Sequence, residues 1–158
     1  KEPEFDCLVY FKRRTTEEFT QVTEFLKSKG ITYKTLSYGG YNDKDVETLS
    51  NKCKFCFMVN GTESQGIAVQ EIMSTDTPMF VWDIKEWNDQ GDEWRVPATS
   101  IPYWSDECGE VFYNVEDMEK TYDRFYAKID TYQPRKYVEE NLSLKKSVNT
   151  LLEILNAA

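Results

Sequence analysis

The sequence predicts an α/β domain with a Rossmann-like parallel sheet and helices on both faces. Two observations carry this. Short apolar runs at residues 6–11, 31–37, 54–60 and 78–82 alternate with segments whose apolar residues recur at helical spacing, and such alternation gives a parallel sheet with crossover helices. The chain of 158 residues, 40% hydrophobic and 15% aromatic, is also long and apolar enough for one good core.

Taken in order, residues 6–11 read as a buried strand. Thr15-Thr-Glu-Glu18 is a capping signal with acids in the first helical turn. Phe19, Val22, Phe25 and Leu26 then recur at helical spacing, and Gly30 stops that helix. Residues 31–37 alternate like a strand and meet the turn Tyr38-Gly-Gly-Tyr41. A short helix is expected over 43–51 with Val46 and Leu49 inward, then a third strand over 54–60. A helix follows Gly66 to about Ser74, and a fourth strand covers 78–82. From Asp83 to Trp104 the pattern breaks, with a polar insertion over 89–97 and a short strand near Thr99-Ser-Ile101. Another strand is expected over 110–113, and a helix over 115–130 with Met118, Tyr122, Phe125 and Ile129 on one stripe, broken by Pro134. A final helical region over 135–156 restarts near Ser143.

Composition excludes several chemistries. The net charge of −9 repels phosphate backbones, so nucleic acid is not an expected partner. Histidine is absent, which removes Ser-His and Cys-His pairs and His-based metal sites from this chain. Of the cysteines 7, 53, 56 and 108, the Cys53-Lys-Phe-Cys56 spacing invites a zinc or redox reading. It lacks a second pair, however, and residues three apart in a strand point to opposite faces. The thiols read as small core hydrophobes in a reducing, cytoplasmic setting, and no metal is expected. No apolar run approaches the roughly 20 residues that span a bilayer.

The chemistry concentrates at Asn60-Gly-Thr-Glu-Ser-Gln-Gly-Ile-Ala-Val-Gln-Glu71. A strand, a short Gly/Ser loop and a helix start offer unpaired N–H groups and the positive end of a helix dipole, a cradle for a diphosphate. Glu63 and Glu71 bracket the loop, one before the helix and one about two turns in, so they can face one ligand from two sides. Carboxylates accept hydrogen bonds from hydroxyl pairs, and sugars are built of hydroxyl pairs. The combination suits a nucleotide sugar. Lys12-Arg13-Arg14 is a local basic run in an acidic chain. Lys12 leaves the first strand at its carboxyl end, where such folds bind ligands; a solvated turn is the competing reading of the run. Tyr38 or Tyr41, beside Gly39 and Gly40, can stack on a base. Trp82-Asp83 and residues 103–109 border the same cleft or complete the core.

The run Glu63-Ser-Gln-Gly-Ile-Ala-Val-Gln-Glu71-Ile-Met-Ser-Thr-Asp-Thr-Pro78 resembles the donor-site motif of family-4-type retaining glycosyltransferases of the B fold. Ile72-Met73 stands for the usual Ala-Met, and Thr75-Asp-Thr for Cys-Gly-Thr. The wider pattern, with Val81-Trp-Asp83 and Ala98-Thr-Ser-Ile-Pro-Tyr-Trp104, resembles poorly characterised members, some from large DNA viruses, over residues 6 to 130. The resemblance implies one Rossmann-like half of that fold, binding a UDP-, GDP- or other nucleoside-diphosphate sugar as substrate without a further cofactor. It also implies transfer to a glycan, lipid or protein acceptor held by a separate N-terminal domain. It places Glu63 on sugar hydroxyls, Glu71 on the ribose, and Ser64, Gln65, Gly66 and Ile67 around the phosphates. The Gly39-Gly40-Tyr41 turn falls near the base. Lys12 and Arg13 fall near the leaving group, although the family's Gly before the Arg and its Arg-to-Lys spacing are missing here. A non-catalytic binding module with a relic nucleotide site is the rival reading. A flavodoxin-like or receiver-type signalling domain is a weaker one, because a receiver's clustered acids after the first strand are missing.

Overall fold

The computed structural model describes residues 2–87 and 96–157. Its centre is a five-stranded, all-parallel sheet in the order β2-β1-β3-β4-β5. The strands are β1 (Phe5–Lys12), β2 (Tyr33–Ser37), β3 (Cys53–Asn60), β4 (Met79–Trp82) and β5 (Gly109–Phe112). The order is that of flavodoxin-like doubly wound sheets, a variant of the Rossmann arrangement that binds ligands by the same rule. The chain moves outward from β1 to β2, then crosses back over β1 to β3. The crevice at the carboxyl ends of β1 and β3 is therefore the switch point where such sheets hold ligands.

Helices cover both faces. On one side α1 (Thr16–Ser28) and α4 (Met118–Ala127) bury Val22, Leu26, Met118, Tyr122 and Phe125 against Phe55, Phe57, Phe80 and Phe112 of the sheet. On the other, α2 (Asp43–Ser50), α3 (Ile67–Ser74) and α5 (Pro134–Asn141) pack Val46, Val69, Ile72, Met73 and Val138 on Leu8, Tyr10, Met58 and Val81. A last helix, α6 (Leu144–Ala157), leaves this layer with every described side chain exposed. Its apolar residues Leu144, Val148, Leu151, Leu152 and Leu155 form one stripe.

Local chemistry explains the ends that the sequence marks well. The Thr15 hydroxyl accepts from the Glu18 N–H while the Glu18 carboxylate accepts from the Thr15 N–H, a complete capping box at α1. Three expectations are corrected. Pro134 does not end a helix over 115–130: α4 stops at Ala127, and Pro134 opens α5 from its first turn, where its missing N–H costs nothing. Residues 99–101 form no strand, because the buried Asp83 carboxylate takes their polar groups. It accepts from the Ser100 N–H at 2.6 Å, the Ser100 hydroxyl at 2.7 Å and the Thr99 hydroxyl at 2.9 Å. Cys53 and Cys56 do not face opposite sides. Cys53 sits at the first residue of β3, its thiol turned back to the Ser50 carbonyl at 3.5 Å, and both sulfurs join the α2–α3 layer. All four cysteines are free and buried, and burial raises the thiols of Cys7 and Cys56 well above the ordinary value. The polar insertion expected over 89–97 falls mostly outside the described residues. No helix among the described residues is long and apolar enough to cross a membrane.

Candidate functional site

Parallel pairing of β1 with β3 puts Lys12 directly beside Asn60 at the carboxyl end of the sheet. Both strands end there in turns built on a close approach. Gly61 packs so tightly on the Arg13 carbonyl that a Cβ at residue 61 would collide with it, and its N–H donates to the Lys12 carbonyl at 2.8 Å. Arg13 takes a left-handed backbone, φ 52°. The basic run is thereby divided. Lys12 points into the crevice with its side chain 12% exposed. Arg13 is exposed. Arg14 turns back into the fold. Its guanidinium lies 4.8 Å from the Trp82 ring centre, donates to the Trp82 carbonyl at 3.0 Å and pairs with Glu18 at 3.1 Å. Burial lowers the Arg14 pKa.

Lys12 Nζ meets Glu63 Oε2 at 2.8 Å, and the Glu63 side chain is only 10% exposed. Asn60, fully buried, donates from Nδ2 to the same oxygen at 3.0 Å. The nearby Gly66 backbone also favours the charged form of this carboxylate. On its other side Lys12 lies 4.7 Å from the centre of the Tyr38 ring, which is 56% exposed. The loop then enters α3 through Gly66, whose φ of 67° suits a residue without a Cβ; a Cβ here would also press on Pro102. Ser64 and Gln65 are exposed on this loop, and Ile67, 63% exposed, begins the helix. The loop and helix start thus lie where the sequence placed them, beside Lys12 and Glu63.

The Gly39-Gly40 turn closes with the Gly40 N–H on the Ser37 carbonyl at 2.9 Å. Tyr41 is half-buried and tied to the core. Its hydroxyl bonds the Tyr10 hydroxyl at 2.7 Å, and the rings meet edge-on with centres 5.9 Å apart. Burial raises both phenols; the charges of Tyr38, Glu71 and Glu63 add to the rise at Tyr41. Tyr38 is therefore the exposed ring beside the crevice. Glu71 and Glu63 both act on Tyr41, but Glu71 also lines a separate hollow of ≈ 410 Å³ between α2, α3 and α5, with Lys44, Glu47, Asn51 and Arg135. Sequence reasoning missed Asn60 as a functional candidate. Its only signal was a polar residue ending an otherwise apolar strand before Gly61. It also missed the chain of support behind it: Asp83 holds Ser100, and the Ser100 carbonyl lies 3.5 Å from Asn60 Nδ2.

The electrostatics give a testable pH dependence. Burial pushes the Glu63 carboxyl up, but hydrogen bonds from Lys12 and Asn60 and the charge of Lys12 outweigh it and hold the group below the ordinary value of 4.5. Asp6 and Glu110 are also lowered, against the cost of burial, by Lys54 with Thr32 and by Arg124 respectively. A carboxyl depressed in the fold contributes stability that is present above its unfolded pKa and is lost as pH falls through the folded value. The melting temperature is therefore expected to fall with acidification below the ordinary carboxylate range, and more gently in Glu63→Gln. Identical profiles for the two proteins, followed by calorimetry, would remove Glu63 from the account.

Against protein-family models and curated proteins the chain gives no match.

Proposed function

We propose that this chain binds the donor of a glycosyl-transfer reaction, a nucleoside-diphosphate sugar, at the carboxyl ends of β1 and β3. The observation that carries the reading is the meeting of one cation, one carboxylate and one helix start at the switch point of a doubly wound sheet. Lys12 and the first N–H groups of α3 face the diphosphate, Glu63 accepts from sugar hydroxyls, and Tyr38 stands beside the base. By the resemblance Glu71, about one turn into α3 and not two, takes the ribose hydroxyls, which requires the ligand to extend toward the hollow that Glu71 lines between α2, α3 and α5. Departure of the diphosphate builds negative charge, and fixed cations and backbone N–H groups lower that barrier without reorganising. By resemblance of the Glu63–Pro78 motif, transfer proceeds with retention and without a metal, and the acceptor belongs to a separate domain.

One observation favours the rival reading of a non-catalytic module: Lys12 and Glu63 already satisfy each other. A thermal-shift panel of UDP-, GDP-, dTDP- and ADP-sugars separates the two. A ligand at about 100 times its dissociation constant adds about 2.7 kcal/mol to a fold that alone binds it. The donor reading expects such a shift with at least one nucleotide sugar, lost in Glu71→Ala. No shift with any of them at millimolar concentration would leave the non-catalytic module as the answer.

A further inference from the structure

We infer that the Lys12–Glu63 pair is a latch that makes the site select an intact sugar donor over the bare diphosphate left after transfer; the inference rests on the donor-site reading above. Its basis is geometric. The 2.8 Å contact joins two side chains that are 12% and 10% exposed, and the Lys12 ammonium is held from its other side by the Tyr38 ring. A phosphate that binds Lys12 competes with Glu63 for the ammonium, whose approach is already narrowed by Glu63 on one side and the Tyr38 ring on another, and so weakens the pair. The carboxylate then keeps the Asn60 amide but gives up part or all of its counter-charge in a largely covered position, and a buried charge stripped of its partner is costly.

A ligand with hydroxyl groups next to its diphosphate repairs that loss, because the hydroxyls donate to Glu63 as the phosphate takes Lys12. A diphosphate without the sugar cannot. The pair therefore opens at low cost only for a ligand that replaces both partners at once. The same asymmetry favours product release. Once the glycosyl group has left, Glu63 has no hydroxyl partner and draws Lys12 back, which loosens the diphosphate. Asn60 acts as the positioning residue of the latch. It is fully buried, accepts the Thr62 N–H at 3.3 Å and fixes Glu63 Oε2 from the side opposite solvent.

The expected ordering runs against simple charge. A nucleoside diphosphate carries more negative charge than its sugar derivative, so a fixed cation alone would bind the bare diphosphate more tightly. The latch predicts the reverse for the unmodified protein. Isothermal titration calorimetry with UDP and UDP-glucose, GDP and GDP-mannose, and inorganic pyrophosphate tests this. In the unmodified protein the sugar form binds more tightly than its bare diphosphate. In Glu63→Gln the order inverts: pyrophosphate and the bare diphosphate gain about tenfold, the equivalent of one released charged contact, while the sugar form weakens. The gain disappears when Glu63→Gln is combined with Lys12→Met, which separates release of the lysine from mere removal of a repelling carboxylate. A bare diphosphate that binds at least as tightly as its sugar form to the unmodified protein overturns the latch, and that arm needs no variant to fold. An equal gain from Glu63→Gln with and without Lys12 also overturns it. Absence of binding by every probe to every protein overturns the donor site itself and the latch with it.

Discussion

Lys12→Met is expected to weaken diphosphate binding by about ten- to a hundredfold, the range of one charge-assisted hydrogen bond at about 1.5–3 kcal/mol. Methionine keeps the apolar stem and removes the charge. The salt dependence of binding should flatten as well, because the long-range attraction of the diphosphate to the Lys12 charge is screened over a Debye length of about 8 Å at physiological ionic strength, even though the largely covered contact itself is screened less. Binding of a nucleoside without phosphates should stay as it was. The neighbouring basic residues supply the contrast. Arg14→Met removes the cap on the Trp82 carbonyl and the pair with Glu18, so it should lower the melting temperature and spare diphosphate affinity. Arg13 is exposed, and Arg13→Met should change either property little. Lys12→Met itself leaves Glu63 short of its counter-charge, so titrations belong well below its melting temperature. Unchanged affinity and salt slope in Lys12→Met would assign the phosphates to the start of α3 alone.

Phe80→Ala should be among the most destabilising single truncations in the sheet. Phe80 is fully buried in β4. Its ring centre lies 4.6 Å from that of Phe57, 5.0 Å from Phe112, 5.4 Å from Phe125 and 5.6 Å from Tyr122. Removing it takes the common neighbour from four rings and leaves a cavity that α4 and β5 cannot both close. Such truncations cost about 3–5 kcal/mol, a large share of the roughly 5–15 kcal/mol that holds a domain together. Urea denaturation should show the midpoint falling accordingly. Phe19→Ala, which removes a half-buried ring packed on Phe11 at the margin of the same layer, should cost clearly less. A loss below about 1 kcal/mol in Phe80→Ala would mean that the aromatic layer is not packed as described.

Residues close together in sequence set what was legible without a structure. Thr15 and Glu18 cap each other three positions apart, so the start of α1 could be read directly. Gly66 next to an apolar run marked α3, which runs over Ile67–Ser74 as expected. The alternation of apolar runs with helical segments sufficed for a doubly wound parallel sheet. The loop that carries Glu63 was visible for the same reason: strand, loop and helix start are contiguous.

Tertiary structure decided which side chains answer each other across long separations. Lys12 and Glu63 are 51 residues apart and meet only because β1 and β3 pair in a register that sets Lys12 beside Asn60. Lys12 stood out in sequence by its place at the end of the first strand, but only the left-handed turn at Arg13 decides that Arg14, two residues on, goes under Trp82 instead of into the crevice. The Thr99–Ile101 segment has strand-like composition, but the Asp83 carboxylate, 17 positions from Ser100, takes the groups a neighbouring strand would have needed. Periodicity and capping are settled within one or two turns of chain. The partner of a charge depends on strand register and crossover, and these are fixed only when the whole core packs.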